Sequence, residues 1–210
     1  MNASLMSAPA ALLLAKMMVP EEPEPATGTG ASATVAKETV NVIDAAAEGG
    51  TSGLRLAAYV GAMLIAFVSL IAVANDLLGA IGATLGAPGL TLQSALGFCL
   101  APLAFMMGVP WSDATQVGAL LGIKTVLNEF IAYQQLGELI AAGELSERSL
   151  ILASYALCGF ANFGSLAILL GGLGGIAPHR RPEIARMGGR SILAGSLATF
   201  MTACVVGVLI

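Results

Sequence analysis

The chain has 210 residues, of which 57% are hydrophobic and only 10% charged, and its mean hydropathy is +0.86. A soluble domain carries roughly 25% charged residues, so this chain cannot cover itself with a hydrated surface, and a lipid bilayer is the expected solvent. The formal net charge of −4 is small and gives no reason to expect a nucleic-acid partner.

The first part of the chain predicts a partial transmembrane helix over residues 1–20 and a flexible acidic loop over 21–53, which is rich in Pro, Gly and Thr. Residues 54–86 are predominantly apolar, with Asn75 and Asp76 in the second half, and predict one long transmembrane helix. At 1.5 Å per residue this helix exceeds the roughly 30 Å hydrocarbon core, so it should tilt or protrude.

The middle of the chain contains two apolar pieces that are not clean membrane spans. Residues 91–112 are interrupted by Pro102 and Pro110, which favours an interfacial helix. Residues 113–146 mix apolar side chains with acids, amides and Lys124, which is typical of a re-entrant hairpin.

Residues 147–176 are long enough to cross a bilayer, but "CGFANFGS" (158–165) puts Asn162 and Ser165 among glycines at the centre of that span. This pattern predicts a discontinuous transmembrane helix whose backbone groups are exposed at the interruption. The later glycines at 171–175 are better explained by helix packing.

The end of the chain predicts a basic connector over residues 177–190 and a final transmembrane helix over 191–210. Four of the nine Lys and Arg residues lie in this connector, so the positive-inside rule places it in the cytoplasm. Counting spans from there requires residues 91–146 to leave and return on one face, which agrees with a re-entrant hairpin.

The stretch "KTVLNEFIAY" (124–133) admits two interpretations. An amphipathic interfacial helix would place Lys124 and Asn128 on a wet face, since they are four residues apart. A hairpin tip at membrane depth would instead direct Glu129 and Asn128 into a cavity, with Lys124 neutralising Glu129 or capping the hairpin.

The second polar segment favours the hairpin tip, because two interrupted segments in one short chain indicate a transporter site. Asn162 and Ser165 are uncharged hydrogen-bonding groups, which suits a polar neutral substrate such as a sugar or ribose. The fold class predicted from the residues is an all-α membrane protein with a re-entrant helical hairpin and a broken helix.

Two segments, "GVPWSDATQVGALLGIKTVLNEFIAY" and "ALCGFANFGSLAILLGGLGGIAPHRRPEIARMG", closely resemble the C-terminal half of the concentrative nucleoside transporters, in their bacterial branch. The resemblance covers nearly the whole chain. It implies a homotrimeric, cation-coupled nucleoside importer of the bacterial inner membrane, working by an elevator-like movement of a transport domain against a scaffold.

The resemblance also implies roles for individual residues. The acid of the family's "NEF" motif and the Asn and Ser of its "GFANxSS" motif hold the ribose, and they match Glu129, Asn162 and Ser165, with Phe160 beside the pocket. Lys124 and Asn128 would support the hairpin. Residues 54–86 would be the scaffold helix at the trimer contact, and 113–146 would belong to the transport domain.

Two departures from the family pattern are visible. Gly164 stands where the family has the first of two serines, which bears on local rigidity or specificity. The first hairpin, which carries the base-recognising residues and most ligands of the coupling cation, sodium or proton, lies outside these 210 residues. The resemblance therefore implies a fragment that is inactive alone, as a truncated reading frame would give, and leaves purine or pyrimidine preference open.

Two other function classes are weighed against transport. A structural or assembly subunit of a membrane complex would use the polar residues only for helix packing. A membrane enzyme would use Glu129 and Lys124 as acid and base, but it would need further convergent acids or histidines. His179 is the only histidine and lies among arginines, so we expect no enzyme, no metal site and no cofactor.

Overall fold

The computed structural model describes residues 2–20, 39–87, 89–176 and 178–210, and the regular elements in those ranges are all helical. The predicted all-α fold class is confirmed there. In chain order the helices are α1 (Asn2–Met18), α2 (Val42–Thr84), α3 (Leu92–Met106), α4 (Trp111–Val126), α5 (Glu129–Ala142), α6 (Glu147–Leu157), α7 (Phe163–Ile176) and α8 (Arg181–Leu209), with a single 3-10 turn at Pro178–Arg180.

The chain divides into two compact units, one of residues 21–73 and one of residues 1–20 with 74–210. In the second unit α4 packs against α3, α5 and α6, and α8 packs against α1, α6 and α7. Its core contains fully buried apolar side chains from α3, α4, α5, α6 and α8, among them Ala104, Leu121, Ala132, Leu152 and Ala203. In a lipid solvent, close van der Waals packing of such side chains holds the helices together.

Glycine allows the backbones of α3 and α4 to touch. A Cβ on Gly118 would lie 2.8 Å from the backbone nitrogen of Ala101 and from the carbonyl oxygen of Gly97. A larger residue at Gly118 would push the two helices apart. The beginning of α3 is also anchored to α2, because the Leu92 N–H donates to Asn75 Oδ1 at 2.8 Å.

The start of α2 corrects the sequence prediction. Residues 42–53 were expected in the flexible loop, but the helix begins at Val42, twelve residues before the predicted boundary at 54. The helix starts there because Asn41 Oδ1 accepts the N–H of Asp44 at 2.9 Å and alanines follow. Residues 21–38 of the predicted loop lie outside the described residues.

The basic connector is also mostly helical. Residues 181–190 were predicted to link two spans, yet they form the first turns of α8 and continue directly into residues 191–209. Pro182 lies in the first turn, where a proline is favourable, and the carboxylate of Glu183 pairs with Arg180 at 2.7 Å. Residues 181–190 of the connector therefore belong to the last helix.

Two breaks interrupt the helices that follow α3. The first break, at Leu127 and Asn128, separates α4 from α5, and the second break, at Cys158–Asn162, separates α6 from α7. Between them, α5 ends at Gly143, which has a positive φ of 68°, and Ser146 caps the start of α6. The hairpin and the broken helix of the predicted fold class are thus both present.

Length and apolarity of the described helices single out α8 as able to cross a membrane by itself. The helices α3 and α4 qualify only as a pair, and this pair is bent by 117° at the turn that contains Pro110, as in a broken span or a re-entrant loop. The membrane spans expected over 1–20, 54–86 and 147–176 stay predictions.

Candidate functional site

The site begins with a helix cap at the first break. Asn128 is the N-cap of α5, and its Oδ1 accepts the N–H of Ile131 at 2.9 Å. Glu129 is then the first residue of α5 and is half-buried. Its side chain thus lies at the N-terminal end of a helix, where the free N–H groups carry a partial positive charge.

Asn162 caps the helix that follows the second break, and its side chain also contacts a residue at the first break. Its Oδ1 accepts the N–H of Ser165 at 2.7 Å, which caps α7, and its Nδ2 donates to Glu129 Oε2 at 2.8 Å. The side chain is only 1% exposed. One amide therefore joins the N-terminal ends of α5 and α7 and fixes the Glu129 carboxylate between them.

The last four carbonyl groups of α6 all receive a hydrogen bond although the helix ends there. The Tyr133 hydroxyl donates to the carbonyl of Ser154 at 2.7 Å, and the Lys124 ammonium to that of Ala156 at 2.9 Å. The N–H of Cys158 donates to Tyr155, and the N–H of Gly159 to Leu157. The end of α6 is satisfied partly by the hairpin, as buried backbone groups require.

Lys124 is completely buried, and its hydrogen-bond partners lie on α6 and α8. Its ammonium donates to the carbonyl of Ala156 and to Thr199 Oγ1, each at 2.9 Å, and lies 5.5 Å from the centre of the Phe200 ring. Among the described residues no ion pair joins it to Glu129. Lys124 binds α6 and α8 through hydrogen bonds, and its roles of neutralising Glu129 or capping the hairpin stay predictions.

A cavity of about 520 Å³ opens beside the second break. Phe160 is 76% exposed at its edge, and Asn162 and Ser165 lie on its wall, while Glu129 lies behind Asn162 and is not part of the described lining. Further lining residues come from α1 and α8 and include Ser4, Ser7, Gly195 and Thr199. A cavity of this size accommodates a small organic molecule.

The six site residues predicted from the sequence therefore lie around the two breaks. Glu129, Asn162 and Ser165 form one hydrogen-bonded group, with Phe160 at the neighbouring cavity, and the remaining two residues, Lys124 and Asn128, hold backbone at the ends of α6 and α5.

Sequence reasoning missed Tyr133 and Thr199. Tyr133 ends the "KTVLNEFIAY" stretch and lies one helical turn after Glu129, so its place in the motif was a usable signal. Thr199 lies 75 residues after Lys124 in a plain apolar helix, and nothing local marks it.

A second polar cluster lies away from the breaks, where α4 and α6 begin. Asp113 is 7% exposed; its Oδ2 accepts hydrogen bonds from the Ser146 N–H, the Ser146 hydroxyl and the Ser149 hydroxyl at 2.6–3.0 Å. Its Oδ1 accepts a further bond from the hydroxyl of Ser112 at 2.7 Å. This cluster fixes the open end of the hairpin to α6.

Arg148 continues this second cluster toward the end of the chain. Its Nε donates to the carbonyl of Gly108 at 2.9 Å and its Nη2 to that of Gly207 at 2.6 Å, while Nη1 contacts the carbonyl of Ile210. The guanidinium thereby ties the turn between α3 and α4 to the C-terminal end of α8, where a cation is favourable.

The described residues contain no group of three or more His, Cys, Asp or Glu side chains that could hold a metal ion. The arrangement at the breaks offers a fixed carboxylate, an amide and a hydroxyl beside a cavity. These groups can bind a polyhydroxylated molecule through hydrogen bonds.

Comparison with known proteins gives a consistent result. Residues 1–207 match the family model described as "Na+ dependent nucleoside transporter C-terminus". The chain is 48% identical over 99% of its length to the "Uncharacterized transporter YutK" of Bacillus subtilis, and 44% identical over 99% to the "Nucleoside permease NupC" of Helicobacter pylori. It covers 51% and 50% of those two proteins, so the chain spans about half the length of the curated relatives it matches.

The fold also matches part of a solved structure, that of CNTnw. The inward-facing, substrate-bound structure of CNTnw superposes with a TM-score of 0.85 at 46% identity, over 98% of this chain and 48% of that one.

Proposed function

Since the chain belongs to the family of Na+-dependent, concentrative nucleoside transporters, we propose that it forms the C-terminal half of a cation-coupled nucleoside symporter. The enzyme interpretation is thereby excluded, because the family consists of transporters. The proposed substrate is a nucleoside, the proposed coupling ion is Na+ or a proton, and the proposed location is the bacterial inner membrane.

The observation that carries the proposal is the hydrogen bond of 2.8 Å between Asn162 and Glu129, which joins the two breaks. It uses Glu129 Oε2, so Oε1 is available to accept hydrogen bonds from ribose hydroxyls. The Ser165 hydroxyl and the exposed ring of Phe160 lie at the neighbouring cavity and would complete the contact with the sugar.

Selectivity follows from the buried polar groups of such a site. A nucleoside that lacks the ribose hydroxyls would displace water from Glu129 Oε1 and give this oxygen no hydrogen bond in return. Unpaired groups of this kind cost more than a missing apolar contact, so sugars without hydroxyls are rejected strongly. No covalent bond is made or broken.

Transport would occur by elevator-type alternating access in a homotrimer. The hairpin over 113–146 and the broken helix over 147–176 belong to the moving transport domain, and the helix over 54–86 belongs to the scaffold at the trimer contact. The four arginines at 180–190 lie on the cytoplasmic side by the positive-inside rule. The side chains of Val205, Val208 and Leu209 on α8 are exposed apolar groups that suit contact with lipid.

This half of the protein supplies only part of the site. Its polar groups suit the sugar, and the base and the coupling cation are held by the remainder of the full-length protein. The chain alone is therefore inactive in transport in this proposal.

The test is uridine uptake by cells that express the full-length protein containing this chain, under an imposed sodium gradient and then under a pH gradient. Uptake driven by one gradient and abolished by Glu129→Gln supports the proposal and identifies the coupling ion. Excess 2′-deoxyuridine, which lacks one ribose hydroxyl, should compete more weakly than excess uridine.

A structural or assembly role is the second candidate, because Lys124 and Asp113 do serve as links between helices. That role predicts no gradient-driven uptake and no effect of Glu129→Gln on assembly or function. Uptake indifferent to Glu129 would therefore favour it.

A further inference from the structure

We propose that the Lys124 ammonium takes the place of a bound cation at the C-terminal end of α6. A positive charge is required there, and the hairpin of this chain supplies it, so that no ion from solution is needed. Lys124 is in this view a positioning residue that keeps the second break aligned with the first. The inference concerns the ends of the broken helix and does not depend on which solute is transported.

The surroundings of the ammonium are those of a cation site. Two oxygen atoms, the Ala156 carbonyl and Thr199 Oγ1, lie 2.9 Å from Nζ, and the face of the Phe200 ring lies on a further side at 5.5 Å from its centre. Carbonyl groups, hydroxyl groups and aromatic faces are groups that stabilise a desolvated cation. With a side chain that is 0% exposed, water cannot take their place.

A cation is needed there because α6 ends inside the protein. In a continuous helix the carbonyl of Ala156 would accept the N–H of residue 160, but the second break starts at Cys158. The free carbonyls at a helix end carry a partial negative charge, and in interrupted membrane helices such ends commonly coordinate ions. Lys124 supplies the compensating positive charge through a covalent tether.

Glycine in the second break allows the close approach of Thr199, one of the two oxygen partners of the ammonium. A Cβ on Gly159 would lie 2.6 Å from Thr199 Cγ2, so a larger residue would push Thr199 away from this position, whereas its distance of 3.9 Å from Lys124 Nζ is an ordinary contact. Glycine at this position therefore lets Thr199 on α8 lie against the end of α6 beside the ammonium.

Lys124 and Glu129 each lie at the helix end that suits the sign of their charge. Glu129 lies at the start of α5 beside the cap of α7, where a negative charge is favourable, and Lys124 lies at the end of α6, where a positive charge is favourable. Loss of the Lys124 charge would destabilise the end of α6. Because only a short segment separates this end from Asn162, the position of Asn162 and its hydrogen bond to Glu129 would be disturbed as well.

The test is chemical rescue of the full-length protein purified in detergent, with choline chloride as the background salt. Lys124→Ala removes three methylene groups and the ammonium, which propylammonium replaces. We expect Lys124→Ala to lower the melting temperature by about 5–10 °C and propylammonium to restore half or more of this loss. Lys124→Met refills the volume without the charge, and we expect it to stay destabilised with no response to propylammonium.

Uridine affinity, measured under the same conditions, separates positioning from mere packing. We expect the weaker uridine binding of Lys124→Ala to recover with propylammonium. Wild-type stability and affinity in Lys124→Met, or a propylammonium effect in Lys124→Ala no larger than in the wild type, would overturn the proposal. The melting measurement involves no transport, so it stands or falls separately from nucleoside symport.

If Lys124→Ala does not fold, the partner Thr199 keeps the proposal testable. Thr199→Val removes the hydroxyl that binds the ammonium, and Thr199→Ser retains it. We expect the melting temperature to fall in the valine variant by at least twice as much as in the serine variant. Equal values for the two variants would contradict a cation held by this oxygen.

Discussion

Asp113 lies at the start of α4 and Glu129 at the start of α5, so both carboxylates are at the N-terminal end of a hairpin helix. Asp113 accepts four hydrogen bonds, three of them on one oxygen, and is nearly inaccessible. Glu129 accepts one, from Asn162, and is half-buried next to a cavity wall.

The difference shows how the same chemical group can be fixed fully by its neighbours in one place and be left with free acceptor positions in another. A buried carboxylate with all its acceptor positions occupied holds its neighbours and can take no ligand. A carboxylate held by one amide keeps its orientation and still has lone pairs to offer. The number of partners thus distinguishes the link at Asp113 from the proposed binding group at Glu129.

Glu129→Gln should produce the largest change in function. The amide retains the size of the side chain but loses the negative charge and one acceptor, so we expect uridine affinity to fall by about 100-fold, the equivalent of about 2.7 kcal/mol. The melting temperature should change by less than about 3 °C. Equilibrium binding of labelled uridine and thermal unfolding of the full-length protein check the two values, and a large loss of stability with unchanged affinity would reverse the comparison.

Asp113→Asn is the same substitution at the other carboxylate and should affect stability instead. The new NH2 group faces donors from Ser146 and Ser149, and we expect about 2 kcal/mol of lost stability. Thermal unfolding measures this loss. Uridine affinity of the folded fraction should match the wild type, and a change of tenfold or more would show that Asp113 is coupled to the site.

Asn162→Ala should remove both the cap of α7 and the hydrogen bond that orients Glu129. We expect about a tenfold loss of uridine affinity together with about 1 kcal/mol of stability. Asn162→Ser is the matched control, because a serine can cap the helix but cannot reach Glu129 in the same way, so its stability should recover while its affinity does not. Unchanged affinity in both variants would count against ribose recognition by Asn162.

Asn128→Ala should have the smallest effect. Asn128 caps α5 and has no described contact with Glu129 or Asn162 beyond its position in the chain, so we expect a loss of about 1 kcal/mol in stability and less than a threefold change in affinity. Asn128→Ser should restore the melting temperature. A larger effect on affinity than that of Asn162→Ala would mean that the first break is the more important of the two.

Local signals in the sequence were enough for several parts of this arrangement. Asn128 and Asn162 each cap a helix by accepting the N–H of the third residue after them. These local bonds mean that the sequence near each asparagine indicates where one helix ends and the next begins. The sequence prediction was wrong at the helix boundaries near 42 and 181, although alanines, an asparagine cap and a proline are local signals that favour helix there.

From the sequence alone it could be predicted that this protein is helical, that its surface suits lipid, that two polar segments interrupt its helices and that it is related to nucleoside transporters. Composition, capping residues and motifs are properties of short stretches of chain. Only the tertiary structure decided that Lys124 binds Ala156 and Thr199, that Asp113 is saturated by Ser146 and Ser149, and that Asn162 holds Glu129. These bonds join residues 32 to 75 positions apart, and such partners become neighbours only when the packing of the helices brings them together.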